Sequence, residues 1–142
     1  MVFKINISEN GKTFKLETES ETLEGKKINE TIKGEEILPA LQGYELKITG
    51  TSDKAGFPGN EEIDSTILKR ILLSKGKFMK TKKPRGLRLR KTVRGNTISK
   101  DVVQINTVVG KKGSKKLEEA FPDQNKPKEE KKEEAKPEEK KE

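Results

Sequence analysis

The chain has no cysteine, no histidine and no tryptophan, and its aromatic content stops at five phenylalanines and one tyrosine. Without Cys there is no disulfide framework and no thiolate metal site. With His missing too, most zinc sites, Cys nucleophiles and imidazole general bases are excluded together. Hydrophobic residues make up only 28% of the 142, so a free-standing core is thin and part of the chain is expected to order against a partner. No apolar run approaches the length of a bilayer span, and the first residues lack the apolar stretch of a secretory signal. The expectation is a cytoplasmic chain with no membrane partner, no cofactor and no small-molecule substrate.

What the sequence has in abundance is charge, at 39% of residues, and that charge is segregated. From Lys75 to Lys116 there are fifteen Lys or Arg residues against one acid, Asp101, a net of +14. The residues before this block and those after it each carry a net of −3. A block so basic repels itself unless a polyanion neutralises it. Nucleic acid is the first candidate, because each neutralised phosphate releases counterions and favours binding. Solubility alone calls for mixed signs, not eleven basic residues between Lys75 and Lys100 without an acid.

Strand periodicity dominates the pattern. Phe3, Ile5 and Ile7 alternate with polar residues, Asn10-Gly11 supplies a turn that tolerates positive φ, and Phe14 and Leu16 resume the alternation, which predicts a β-hairpin. Leu23 to Ile37, punctuated by Gly25 and Gly34, fits a short helical turn followed by a strand. Tyr44, Leu46 and Ile48 share one face of a strand expected to end at Gly50, before a Gly/Pro loop from Thr51 to Asn60. In that loop Phe57 either plugs the end of the fold, the commoner fate of an isolated aromatic, or stacks on a base; Lys54 is the better ligand contact. Ile63, Ile67 and Ile71 suit a helix, while Ile71-Leu72-Leu73 suit a strand; a strand from about Leu68 to Ser74 is expected.

The basic block also has strand period. Leu87, Leu89 and Val93 fall on one face, and Arg88, Arg90 and Arg94 on the other. Lys91 lands on the apolar face, which predicts a bulge or strand end nearby. Arginines two residues apart stand about 6.6 Å from each other along a strand, and their guanidinium forks suit a run of phosphates. Val102 to Val109 is the most apolar segment and is expected at the centre of the sheet. A flexible basic exit is expected to follow, Gly110 to Lys116, which holds Lys111 and Lys112. The residues from Lys126 onward are nearly all Lys, Glu, Ala and Pro, a composition that predicts disorder.

Several strings occur in one order at spacings that carry a resemblance. They are Tyr44 to Gly50 followed by Thr51-Ser52-Asp53-Lys54-Ala55-Gly56-Phe57-Pro58, Leu72 to Gly76, Arg90-Lys91-Thr92-Val93-Arg94-Gly95-Asn96-Thr97-Ile98, and Val108 to Gly113. Over residues 1–113 the chain resembles ribosomal protein six of the archaeal and eukaryotic small subunit. The resemblance implies a small β-barrel on the body of that subunit, with small-subunit ribosomal RNA and neighbouring ribosomal proteins as partners. It also puts Lys54 and Phe57 in the family's Gly-Phe-Pro loop, and Arg90, Lys91 and Arg94 in its basic strand. Eukaryotic members continue into a long basic helix ending in a serine cluster. No serine follows Ser114 here, so the length and tail look archaeal.

The expected architecture is thus mainly β: a small barrel over residues 1–116 with a short helical or loop insertion, and a disordered Lys/Glu-rich tail over residues 117–142. The expected role is that of a structural constituent of the small ribosomal subunit, without obligate homo-oligomerisation. Candidate RNA-binding residues are Lys54, Phe57, Lys82, Lys83, Arg85, Arg88, Arg90, Lys91, Arg94, Lys111 and Lys112. Two rival readings are a free-standing basic barrel that binds nucleic acid outside the ribosome, and an RNA-directed enzyme holding Mg²⁺ on Asp53, Asp64 and Asp101. Those three aspartates are not grouped in sequence, so the second is set aside.

Overall fold

Asn10 and Gly11 adopt φ of 47° and 82°, the pair of positive values that a two-residue hairpin turn requires. They join β1 (Phe3–Glu9) to β2 (Lys12–Thr18) in uninterrupted antiparallel register from Phe3↔Thr18 to Glu9↔Lys12. The computed structural model describes residues 2–74, 76–80, 84–113, 116–121 and 124. Beyond the hairpin it contains β3 (Thr31–Lys33), β4 (Glu45–Asp53), β5 (Leu68–Leu73), β6 (Leu89–Arg94), β7 (Val102–Lys111) and a one-turn helix, α1 (Leu117–Ala120). Short 3₁₀ turns at Glu21–Leu23, Gly34–Glu36 and Pro39–Leu41 surround β3, which is the insertion expected from the glycine-punctuated segment.

The fold is mainly β, as expected, but the sheets do not close into a barrel. Five strands form an open sheet in the order β2-β1-β7-β4-β3, and β5 and β6 form a separate two-stranded sheet. β7 is central, parallel to β1 and antiparallel to β4. Its inward residues Val102, Ile105 and Thr107 are buried, and the Thr107 hydroxyl donates to the Asn6 carbonyl at 3.1 Å. Phe3, Ile5, Ile7, Phe14, Ile32, Leu46 and Ile48 fill the same face, and Leu23, Leu41, Ile98 and Leu117 from outside the sheet join them in the core.

One expectation about the strands needs correction, and one open alternative is decided. Gly50 does not end β4. The strand passes through it at one of three register shifts against β7, between Ile48 and Gly50, and continues to Asp53. These irregularities bend β4 and carry Thr51 and Asp53 into buried positions. Of the two readings at Lys91, the strand end is the one found: β6 begins at Leu89, two residues before it, and pairs with β5 without a shift from Leu68↔Arg94 to Leu73↔Leu89. Lys91 sits on the same face as Leu89 and Val93 because its end of that face is exposed.

The core also reaches past residue 116. Leu117 is buried, and Phe121 lies 5.8 Å from Phe14 between ring centroids. The Gln124 side chain accepts from the Lys15 amide at 2.6 Å and donates to its carbonyl at 2.8 Å, occupying part of the open edge of β2. The predicted disorder from Lys126 onward concerns residues outside the described ones.

Candidate nucleic-acid interface

Between Lys69 and Arg94 the chain carries twelve basic residues and no acid. β5 and β6 turn much of that segment into an arm. At its base Val93 and Arg94 are buried while Lys69 and Arg70, paired with Val93 and Thr92, are exposed; toward its tip Leu72, Arg88, Leu89 and Arg90 are exposed. Among the described residues, Lys69, Arg70, Arg85, Arg88, Arg90 and Lys91 are exposed and have no acidic partner. The arm and the residue leading into it also hold four of the six large hydrophobic side chains exposed among the described residues: Ile67, Leu68, Leu72 and Leu89. Apolar side chains clustered among unneutralised cations mark a surface built to be covered.

Arg94 departs from its expected place. The alternation puts it on the face of Arg90, but only 6% of the residue is exposed. Its Nη2 lies 2.6 Å from Asp53 Oδ2, and its Nε donates to the same oxygen at 2.8 Å. Its Nη1 donates to the Thr66 carbonyl at 2.7 Å and to Asp101 Oδ2 at 3.1 Å. With its donors spent in this way, Arg94 has no free face for a phosphate. The end of β4, the approach to β5 and the start of β7 are instead tied to one guanidinium. Asp53 and Asp101, which the sequence showed only as scattered acids, converge on that cation. Among the described residues no three acids group so as to hold a metal ion.

Asp53 in turn shapes the loop beside the arm. Its carbonyl accepts from Gly56 N at 2.8 Å, its amide donates to the Phe57 carbonyl at 3.0 Å, and Gly56 takes φ of 85°. The loop exposes Lys54 and leaves Phe57 half-buried outside the core. Phe57, Pro58, Phe78, Lys91, Thr92 and Val93 line a groove of about 320 Å³. The plug expected of Phe57 is therefore absent, and its ring forms one wall of a depression on the arm.

The family model for Ribosomal protein S6e matches residues 1–122. A small ribosomal subunit protein eS6 from Methanosphaera stadtmanae is 43% identical over 134 residues, covering 92% of this chain and all of that protein. Proteins of the same name from Methanothermobacter thermautotrophicus and Nanoarchaeum equitans are 48% and 44% identical. Each alignment covers 84% of this chain, with 94% of the first protein and 90% of the second. The chain belongs to the S6e family of ribosomal proteins.

The two signature strings of this S6e chain are physical partners. Arg94 N donates to the Pro58 carbonyl at 2.9 Å, and Asn60 N donates to the Arg94 carbonyl at 2.8 Å. Gly95 is buried, and a Cβ there would fall on the Ser65 carbonyl. The Asp-Lys-x-Gly-Phe-Pro-Gly loop and the Arg-Lys-x-Val-Arg-Gly strand thus form one joint, with Asp53–Arg94 at its centre.

The remaining candidates do not all converge. Lys54, Phe57, Arg88, Arg90 and Lys91 belong to the joint and the arm. Arg85 lies exposed in the turn closed by Leu87 N and the Pro84 carbonyl. Lys82 and Lys83 lie outside the described residues. Lys111 and Lys112 sit at the opposite end of β7, about 30 Å along the strand from Val102. Each already faces an acid, Lys111 with Glu45 at 2.7 Å and Lys112 with Glu9 at 2.8 Å. The Glu9 hydrogen bond raises the Lys112 pKa above its ordinary value. The sequence reading missed Lys69, Arg70 and Phe78. The first two continue the acid-free run on its N-terminal side, and that run was the available signal.

Lys77, beside Phe78, bonds Glu61 at 2.9 Å, and Asn29 donates to the other Glu61 oxygen at 2.7 Å. These two hydrogen bonds, Lys77 first, lower the Glu61 pKa. Glu61 thus ties the start of the arm's connecting segment to the body.

Proposed function

We propose that this protein is a structural constituent of the small ribosomal subunit that binds and stabilises ribosomal RNA through the β5–β6 arm and the Lys54 loop, supporting translation. As a member of the S6e family it is a cytoplasmic ribosomal component. The observation that carries the RNA-binding reading is the arm itself: among the described residues, Lys69, Arg70, Arg85, Arg88, Arg90 and Lys91 stand exposed without an acidic partner around exposed apolar side chains, in a stretch free of acids. The arginines neutralise phosphates bidentately, and the rigid joint at Arg94 fixes where they point. Phosphate contacts of this kind set register on an RNA fold, and A-form RNA is met largely through backbone and shape. The role is structural and not enzymatic; Asp53 and Asp101 serve Arg94 and not a reaction. Other ribosomal proteins are its neighbours in the particle.

With about five phosphate contacts, from Lys54, Arg70, Arg88, Arg90 and Lys91, the log of the RNA binding constant falls with log salt at a slope of about −3.5 to −4.5. Replacing Arg70, Arg88 and Arg90 together by Ala is expected to flatten that slope by about two to three while the thermal unfolding midpoint stays close to wild type. An unchanged slope would remove the arm from the contact surface.

A further inference from the structure

Only five phenylalanines are available to this chain, and three of them, Phe3, Phe14 and Phe121, serve the core. The other two, Phe57 and Phe78, are twenty-one residues apart in sequence and line the same groove. A sequence so short of aromatics leaves two rings half-buried outside its core, both beside the cationic arm. Phe78 also holds φ of 66°, a conformation bulky residues rarely take. A turn closed from Met79 N to the Gly76 carbonyl at 3.2 Å, with Met79 buried, keeps it there. The ammonium of Lys77, fixed by Glu61, lies 5.7 Å from the Phe78 ring centroid and covers one face of that ring.

We infer that this groove receives a single unstacked nucleotide of the bound RNA, its base against Phe57, Pro58 and the open face of Phe78, and its phosphate on Lys91. The inference rests on the arm binding RNA and adds what the groove takes. Flat apolar walls match the π-face of any base, so stacking tolerates sequence. The groove, at about 320 Å³, is near the lower end of the roughly 300–1,000 Å³ of small-ligand sites, which suits one base better than a peptide segment. Charge complementarity selects the occupant. Lys91, which lines the groove, has no acidic partner among the described residues, and no acid occurs in the sequence between Lys69 and Arg94.

The test uses the full-length protein and two RNA duplexes identical except that one carries a single bulged 4-thiouridine. Wild type is expected to bind the bulged RNA about ten-fold more tightly, equivalent to about 1.4 kcal/mol. Ultraviolet cross-linking from the bulge should modify Phe57 or Phe78. Phe57→Leu and Phe78→Leu, which keep apolar bulk and lose the aromatic face, should bring the affinity ratio toward one. A wild-type protein that binds both RNAs equally, with the salt slope given above, overturns the groove assignment and leaves the arm's phosphate contacts standing. The groove would then belong to a side chain of a protein neighbour. A wild-type protein that binds neither RNA overturns both readings.

Discussion

Arg94 lies in a strand whose other arginine, Arg90, faces solvent, yet its guanidinium is bonded to Asp53, Thr66 and Asp101. Removing one partner of a buried pair strands the other charge, so Arg94→Ala should destabilise the fold by about 3–5 kcal/mol. Arg88→Ala, on exposed surface, should change it by no more than about 0.5 kcal/mol. Urea unfolding of both variants checks this, and a similar small loss for each would contradict the assigned role of Arg94. Strand period grouped these arginines because it reports which face a residue takes and not what covers that face. Asp53, the covering acid, is 41 residues away in sequence, and no local pattern links them. Glu61 gives a second residue-level test. Its folded pKa lies below the ordinary 4.5, so its contribution to stability is present above that value and fades as pH falls through the folded pKa. Lys77→Ala should move the Glu61 carboxyl titration, followed by NMR, upward toward 4.5; an unmoved titration would mean that Lys77 does not hold it.

The elements differ in how plainly they could be read. The Asn10-Gly11 hairpin and the central position of β7 follow from turn chemistry and apolar content, and both occur as expected. β5 also starts where its neighbours suggested, at Leu68. Gly50 misled because a glycine in a strand pattern marks either an end or a bulge. Which one it is depends on pairing with β7, a long-range fact. The joint between loop and arm was legible only as two strings in a familiar order, since its cause is close backbone approach. Gly95→Ala tests that cause: a methyl against the Ser65 carbonyl forces the backbone apart, at a cost of about 1–3 kcal/mol. The expected readout is faster amide exchange at Asn60 and Arg94, whose amides donate across the joint. Exchange unchanged there would mean that the approach tolerates a side chain.

Across the whole molecule, the charge segregation seen in one dimension divides in three. The block from Lys75 to Lys116 splits between a cationic arm at one end of the main sheet and Lys111 and Lys112 at the other, where Glu45 and Glu9 balance them. The net of +14 therefore overstates any single surface, and among the described residues Arg85, Arg88, Arg90 and Lys91 are the part of the block on the arm left without an acidic partner. Mass and composition suggested a thin core, and the molecule draws on Leu117 and Phe121 to complete it. Hydroxyl-radical footprinting of small-subunit ribosomal RNA tests the central claim most directly. Wild-type protein should protect a discrete backbone segment, and the combined Arg70→Ala, Arg88→Ala and Arg90→Ala variant, folded by its unfolding midpoint, should lose that protection. The same protection from both proteins would show that RNA lies elsewhere and that the arm serves another purpose.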